Sequence, residues 1–416
     1  MEFVQIQRSK GSHDLAPGDM QRFRRVETIF IEVCKSWDYH EIKTPTLEYL
    51  HLFTSAGTLT QGMLKRVYSF LDWDGWSGER VVLKPDATIP AVRFYIEQSG
   101  NGSQQKTARY YYVANTFIFE ETGTKNRERW QCGVEHIGNG SPIADVETVA
   151  LALEIVSRLN AGQAVVKLTH AGLIRGILAG MGLSLEQQAG MFEKILAGGT
   201  ADIERLVNEH PDTGEILEML LNNKGRSSGF IKNIKALFGA RTSAFEPAMD
   251  NFISVLELME RQGIDYEIDL AVGKGFEYYT GLIFRLDIDA ENVGGGGRYD
   301  QLIPMMGGAE TPAAGFALYM DRLMALAQST GCSPAALNVS VRVNPDTLRD
   351  GLELAGFLRE GGMVVRLSGD EENAAGCDWE VRLAAGTDEV VLVELASGQQ
   401  TTVSNVAEAI ITLGCA

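Results

Sequence analysis

Four short segments of this chain carry side chains suited to holding a small polar molecule. Leu83-Lys84-Pro85-Asp86-Ala87-Thr88 sets a carboxylate and a hydroxyl two positions apart. On an extended chain both point to one side and would together bind an ammonium group. The competing reading is a turn with a capping Asp and Thr. In Gln131-Cys132-Gly133-Val134-Glu135, the spacing of four on a strand puts Gln131 and Glu135 on one face, with room above Gly133 for a small amino acid. A solvent-facing polar stripe on a half-buried sheet has the same spacing.

The other two segments are Gly273-Lys274-Gly275-Phe276-Glu277-Tyr278-Tyr279-Thr280-Gly281 and Gly294-Gly295-Gly296-Gly297-Arg298-Tyr299-Asp300. Tyr278, Tyr279 and Tyr299 present hydroxyls on apolar rings and would suit a flat polar side chain, although a buried tyrosine with a satisfied hydroxyl is the ordinary core arrangement. The glycine run allows a tight turn or close approach to a ligand. No helix start comes after it, so it reads as a turn and not as a phosphate cradle. His170 stands alone and reads as structural. No Ser-His-Asp order, Walker loop or metal-ligand cluster stands out, and neither a metal nor a cofactor is expected.

The scaffold for these residues can be read from periodicity. At 416 residues, 45% of them hydrophobic, the chain is long enough for two domains with a substantial core. Met20 to Ser36 has helical spacing in Phe23, Val26, Ile29, Phe30 and Val33. The run from Glu41 to Glu48 is extended, with Pro45 suited to an edge and a dimer contact. Strands are predicted at Val81–Leu83, Ala108–Ala114 and Cys132–Ile137, then a helix at Ala144–Leu159, which suggests an antiparallel sheet flanked by helices. Helical patterns fill 172–263 as an insertion. Strands return at Tyr266–Ala271 and Leu282–Asp287, with a strand and helix over Ala314–Gln328. Beyond Cys332, strand and helix alternate as in a small α/β unit.

Composition narrows the partners. No run of about 18 apolar residues and no signal-peptide core appears, so a cytoplasmic location without membrane contact is expected. Cys34, Cys132, Cys332, Cys377 and Cys415 are odd in number and scattered, as reduced thiols would be. The net charge of −18 argues against a broad nucleic-acid surface.

In their order and spacing, these segments resemble the class II histidyl-tRNA synthetase family from about Gly11 to Leu326. Thr44-Pro45 looks like motif 1, Phe117 to Glu135 covers motif 2, and Gly315-Phe316-Ala317-Leu318-Tyr319-Met320-Asp321-Arg322 looks like motif 3. The two tyrosine segments match the histidine-specific motifs. The resemblance implies an α+β fold, a class II synthetase-like antiparallel sheet flanked by helices, in residues 1–332 with a helical insertion around 172–263. A reduced anticodon-binding-like α/β domain would occupy 333–416. It further implies that Asp86, Thr88 and Gln131 hold the α-amino end of histidine while Glu135, Tyr279 and Tyr299 surround the imidazole, with Tyr278 alongside and Lys274 and Arg322 as further contacts.

The likeness to an active synthetase breaks at the cations. Adenylation needs a fixed cation for charge developing on the α-phosphate, which the synthetases supply from a motif 2 arginine. Phe117 or Ile118 takes that place here. Lys274 replaces a second arginine without its planar fork, and Tyr319 stands where a glycine is usual. The stretch from Leu83 to Arg93 looks closer to the regulatory subunits of ATP phosphoribosyltransferase. That branch implies a non-catalytic homodimer within a hetero-octamer, bound to the short catalytic subunit, with histidine as effector. Residues 336–416 contain no lysine, five arginines and thirteen acidic residues, a net −8 that should repel tRNA. A divergent but active histidyl-tRNA synthetase is the alternative, and a binding module without histidine specificity a third reading.

Overall fold

The computed structural model describes residues 8–55, 66–72, 78–100, 107–119, 126–196, 201–270, 278–327, 337–369, 374–383 and 389–413. The chain divides into two compact units, residues 1–328 and 329–416.

In the first unit, helix α1 (Pro17–Ser36) buries Phe23, Val26, Phe30 and Val33 along one stripe. It begins three residues before the apolar periodicity, because Pro17 suits a first helical position and the Asp19 carboxylate accepts from the Ala16 N–H at 3.1 Å. Two short strands come after it, β1 (His40–Glu41) and β2 (Leu47–Tyr49), with Pro45 between them and outside both. Helix α2 (Leu50–Ser55), β3 (Ser69–Leu71) and β4 (Arg80–Leu83) come next. Strands β2, β4 and β3 form a small antiparallel sheet. Helix α3 spans Thr88–Gly100 and precedes β5 (Ala108–Phe117), β6 (Glu128–Ile137) and helix α4 (Pro142–Arg158).

The main sheet has eight strands in the order β1-β5-β6-β11-β10-β9-β7-β8, where β7 is Val165–His170, β8 Tyr266–Ile268, β9 Leu282–Ile288, β10 Glu291–Arg298 and β11 Ala313–Tyr319. The interior pairs are antiparallel, and the two edge pairs, β1/β5 and β7/β8, are parallel. A parallel pair needs a crossover. Helices between Ala171 and Arg261 supply the one joining β7 to β8, and their buried Ile174, Ile177, Leu217, Phe252 and Leu256 extend the core.

The run Gly294–Gly297 is a correction to the sequence reading: it is not a turn but the middle of β10, paired on both sides. The turn lies just before it. Asp289 and Ala290, at φ of 50° and 65°, join β9 to β10 as a two-residue hairpin turn with both central residues left-handed. A glycine-filled strand hides its own period, since there are no side chains to alternate.

The second unit pairs β12 (Asn338–Arg342), β13 (Val364–Ser368), β14 (Trp379–Leu383), β15 (Val390–Glu394) and β16 (Gln400–Val403) in the order β13-β12-β14-β15-β16. Helix Leu348–Glu360 packs Leu354 and Leu358 against it.

Candidate functional site

Cross-strand register builds the floor of the site. Directly paired residues point to one face, so Tyr110, Glu135, Gly315, Gly297 and Ile283 form one row across β5, β6, β11, β10 and β9. Two residues along, Tyr112, Gly133, Ala317, Gly295 and Arg285 form the next. Small residues fill the middle of both rows and leave a trough. Two of the glycines are demanded by close approach: a Cβ on Gly133 would stand 2.2 Å from the Tyr112 ring, and one on Gly315 would stand 2.2 Å from a Glu135 carboxylate oxygen.

Over this floor lies a cavity of about 110 Å³, lined among others by Asp86, Thr88, Gln131, Tyr278, Tyr279 and Tyr299. It is well below the ~300–1,000 Å³ of drug-sized sites, on the scale of one amino acid. The structure thus brings together six of the predicted residues. Asp86 and Thr88 sit at the start of α3 and not on an extended strand, so the capping interpretation of that segment holds too: Asp86 Oδ1 accepts from the Ile89 N–H at 3.0 Å. Both nevertheless face the cavity.

Glu135 lies beneath the lining, fully buried. Tyr112 donates to its Oε1 at 2.8 Å and Tyr299 donates to its Oε2. Tyr112 also stands 3.5 Å from the Thr88 hydroxyl. The tyrosine rings pack on one another, Tyr278 with its centroid 5.0 Å from Tyr279 and 5.6 Å from Tyr299.

Burial raises the Glu135 pKa to about 8, against the pull of the Tyr299 and Tyr112 hydroxyls. Burial likewise raises Asp86 to about 6, opposed by the backbone N–H groups of α3. Tyr112, Tyr278 and Tyr299 are pushed well above the ordinary tyrosine value by burial and the nearby carboxylates, so all three remain neutral. A buried carboxyl at the wall, Asp86, and another beneath the lining, Glu135, favour a ligand that brings positive charge or N–H donors, such as an ammonium group and an imidazole.

The segment that delivers Tyr299 is held by its neighbours. Arg298 turns away from the cavity, its Nε donating to both Asp145 oxygens at 2.9 and 3.2 Å and its Nη1 to Asp300 at 3.0 Å. Asp300 in turn accepts from the Ala313 N–H at 3.0 Å, and its own N–H donates to the Thr280 hydroxyl at 3.0 Å. This lattice fixes Tyr299 beside Glu135 and joins the two tyrosine segments.

Other expectations fall differently. Arg322 is not brought to the cavity: its side chain is 56% exposed and pairs with Glu291 at 2.8 Å. Lys274 lies outside the described residues. Buried His170 accepts from the Leu173 N–H at 3.2 Å and meets Asn251 at 3.2 Å, a helix-capping role. Phe117 ends β5 and Ile118 comes directly after it, and both side chains are uncharged.

Sequence reasoning missed Tyr112, Arg285 and Asn292, and it treated Tyr319 only as an obstruction. All but Tyr112 line the cavity. Alternation along Tyr110-Tyr111-Tyr112 puts Tyr110 and Tyr112 on one face, but that Tyr112 meets Gly133, like the place of Arg285, depends on pairing across the sheet.

The family model for histidyl-tRNA synthetase matches residues 11–323. The chain is 45% identical over 409 residues to an ATP phosphoribosyltransferase regulatory subunit of Dehalococcoides mccartyi, covering 98% of both chains. It is 30% identical to a histidine–tRNA ligase of Methanococcus aeolicus over 86% of each. Among solved structures, a Bacillus halodurans ATP phosphoribosyltransferase regulatory subunit/histidyl-tRNA synthetase superposes with a TM-score of 0.74 at 23% identity, covering 90% of this chain and 95% of that one. A Nostoc histidyl-tRNA synthetase gives 0.75 at 19% over 99% of both. These two likenesses establish the class II fold. With a synthetase-type sheet, a tyrosine-lined cavity upon it and a full-length relative of this similarity, the chain belongs to the histidyl-tRNA synthetase family and, within it, to the ATP phosphoribosyltransferase regulatory subunits.

Proposed function

We propose that this chain senses histidine and regulates the short catalytic subunit of ATP phosphoribosyltransferase, without synthetase activity of its own. The observation that supports this reading is one cavity that gathers two kinds of group. Asp86, Thr88 and Gln131 suit an ammonium group, and Tyr279 and Tyr299 with Glu135 suit an imidazole. The chain carries Phe117 and Ile118 where an adenylating enzyme needs its cation, and Tyr319 narrows the neighbouring space. Glu135 acts on the ring directly or through the Tyr299 hydroxyl it orients.

The partners are those of the family: the short catalytic subunit, in a hetero-octamer that contains this chain as a homodimer in the cytoplasm. Among the described residues, no helix is long and apolar enough to cross a membrane. Regulation requires that histidine bind two states of the assembly unequally, since equal affinity shifts nothing. The test is co-purification with the short catalytic subunit, then phosphoribosyl transfer to ATP measured with and without histidine. A stable complex inhibited by histidine is expected. Absence of a complex, or activity indifferent to histidine, would overturn the proposal.

A further inference from the structure

Along the row that contains Gly133, the trough ends in positive charge. Arg285 on β9 lines the cavity, and directly opposite it on β7 stands Lys167. Like charges paired across strands are destabilising unless something lies between them. Asp287 does so in part: its Oδ2 accepts from Arg285 Nη2 at 2.7 Å and from Lys167 Nζ at 2.8 Å, with the Asp287 side chain only 4% exposed. Glu267, paired with Lys167 on β8, is engaged by Lys224 at 2.9 Å. Two cations therefore share one carboxylate.

The triad is also incomplete. Arg285 Nε and Asp287 Oδ1 are buried and have no hydrogen-bond partner among the described residues. Of the two, Arg285 lines the cavity, and a buried donor left open there marks a place that a bound acceptor completes. Around it, Asn292 and the backbone of Gly294–Gly296 line the same cavity, and Tyr319 adds a hydroxyl-bearing ring. From Gly133 to Arg285 the row crosses three strand spacings, about 14 Å between Cα atoms. Arginine is long enough to meet a ligand lying over the intervening Ala317 and Gly295.

We propose that Arg285, backed by Lys167 and partly neutralised by Asp287, is an anion-recognising end of this trough that takes an oxyanion, carboxylate or phosphate, next to the ammonium and ring subsites. Its placement beside an amino-acid cavity deepens the histidine reading and in that arm rests on it. The oxyanion is either the carboxylate of the bound amino acid or a phosphate group on a separate ligand.

Calorimetry on the full chain with L-histidine, histidinol and inorganic pyrophosphate tests this, using wild type, Arg285→Met and Asp287→Asn. Arg285→Met leaves Lys167 paired with Asp287, so the local charge stays balanced. If the anion is the amino acid's own carboxylate, wild type prefers histidine over histidinol and the variant loses that preference by roughly ten- to a hundred-fold, the range of a charge-assisted hydrogen bond. If it is a separate phosphate, pyrophosphate binding falls by a similar factor while histidine binding holds. In either case Asp287→Asn, which removes the competing carboxylate, strengthens binding of the same anion; a purely structural triad would not do this.

Histidine preference and pyrophosphate binding in Arg285→Met both within twofold of wild type would overturn the proposal, as would a wild-type chain that binds neither anion. A wild type that binds pyrophosphate but no histidine refutes the histidine reading, and the pyrophosphate arm then decides the role of Arg285.

Discussion

Replacing Glu135 with Gln separates the ligand role of this carboxyl from its structural one. In the ligand-free chain burial holds the Glu135 pKa near 8, so at pH 7 the group is mostly protonated. Glutamine imitates that neutral form closely: its carbonyl accepts one of the two tyrosine hydroxyls, and the other turns to accept from the amide. Folding stability should change by less than about 1 kcal/mol. Binding is different. An imidazole N–H that meets the ionised carboxylate gains a charge-assisted bond of about 1.5–3 kcal/mol, and ionising the group at pH 7 offsets about 1 kcal/mol of that. The net loss in Glu135→Gln is then about 0.5–2 kcal/mol, roughly two- to thirty-fold in Kd. Isothermal titration with histidine measures the loss, and a urea melt checks the fold. Unchanged affinity would remove Glu135 from the site; a large loss of stability would show that the neutral-carboxyl argument is wrong.

Three further outcomes are expected from the geometry. Because the folded-state pKa values of Glu135 and Asp86 are raised, their contribution to stability is complete at low pH and is lost as pH rises, from about 4.5 to 8 for Glu135 and about 3.8 to 6 for Asp86; urea midpoints of the ligand-free chain at pH 6 and 8.5 should show the fall, and an identical slope in Glu135→Gln would contradict the assignment. Gly133→Ala drives a methyl into the Tyr112 ring, so it should cost about 1–3 kcal/mol of stability and weaken histidine binding; a crystal structure with Tyr112 undisturbed would refute the packing argument. Arg298→Met leaves Asp145 buried without its partner, and denaturant melts should show a loss of about 3–5 kcal/mol; a loss under 1 kcal/mol would mean that the pair does not anchor the Tyr299 segment.

Much of this architecture is legible where a residue's environment is set by its near neighbours. The apolar stripe of α1 and the Gln131-Gly133-Glu135 alternation on β6 both survive intact, because period alone decides which face they occupy. Gly294–Gly297 misleads, since a strand without side chains has no period to read and its pairing with β9 and β11 is set from elsewhere in the chain. Asp86 and Thr88 suit either an extended strand or a capping turn in sequence and stand at a capped helix start, a distinction that depends on Ile89 and the rest of the first helical turn. Tyr112 and Arg285 are invisible for a deeper reason: one acquires its meaning from Gly133, the other from Lys167 and Gly295, and cross-strand register is a non-local fact.

Whether this cavity holds histidine without adenylating it is decided by histidine-dependent exchange of pyrophosphate into ATP, measured on the purified chain. No exchange above a blank lacking protein is expected at histidine concentrations that saturate the site. Robust exchange that requires histidine would contradict the regulatory reading and make the chain a working synthetase.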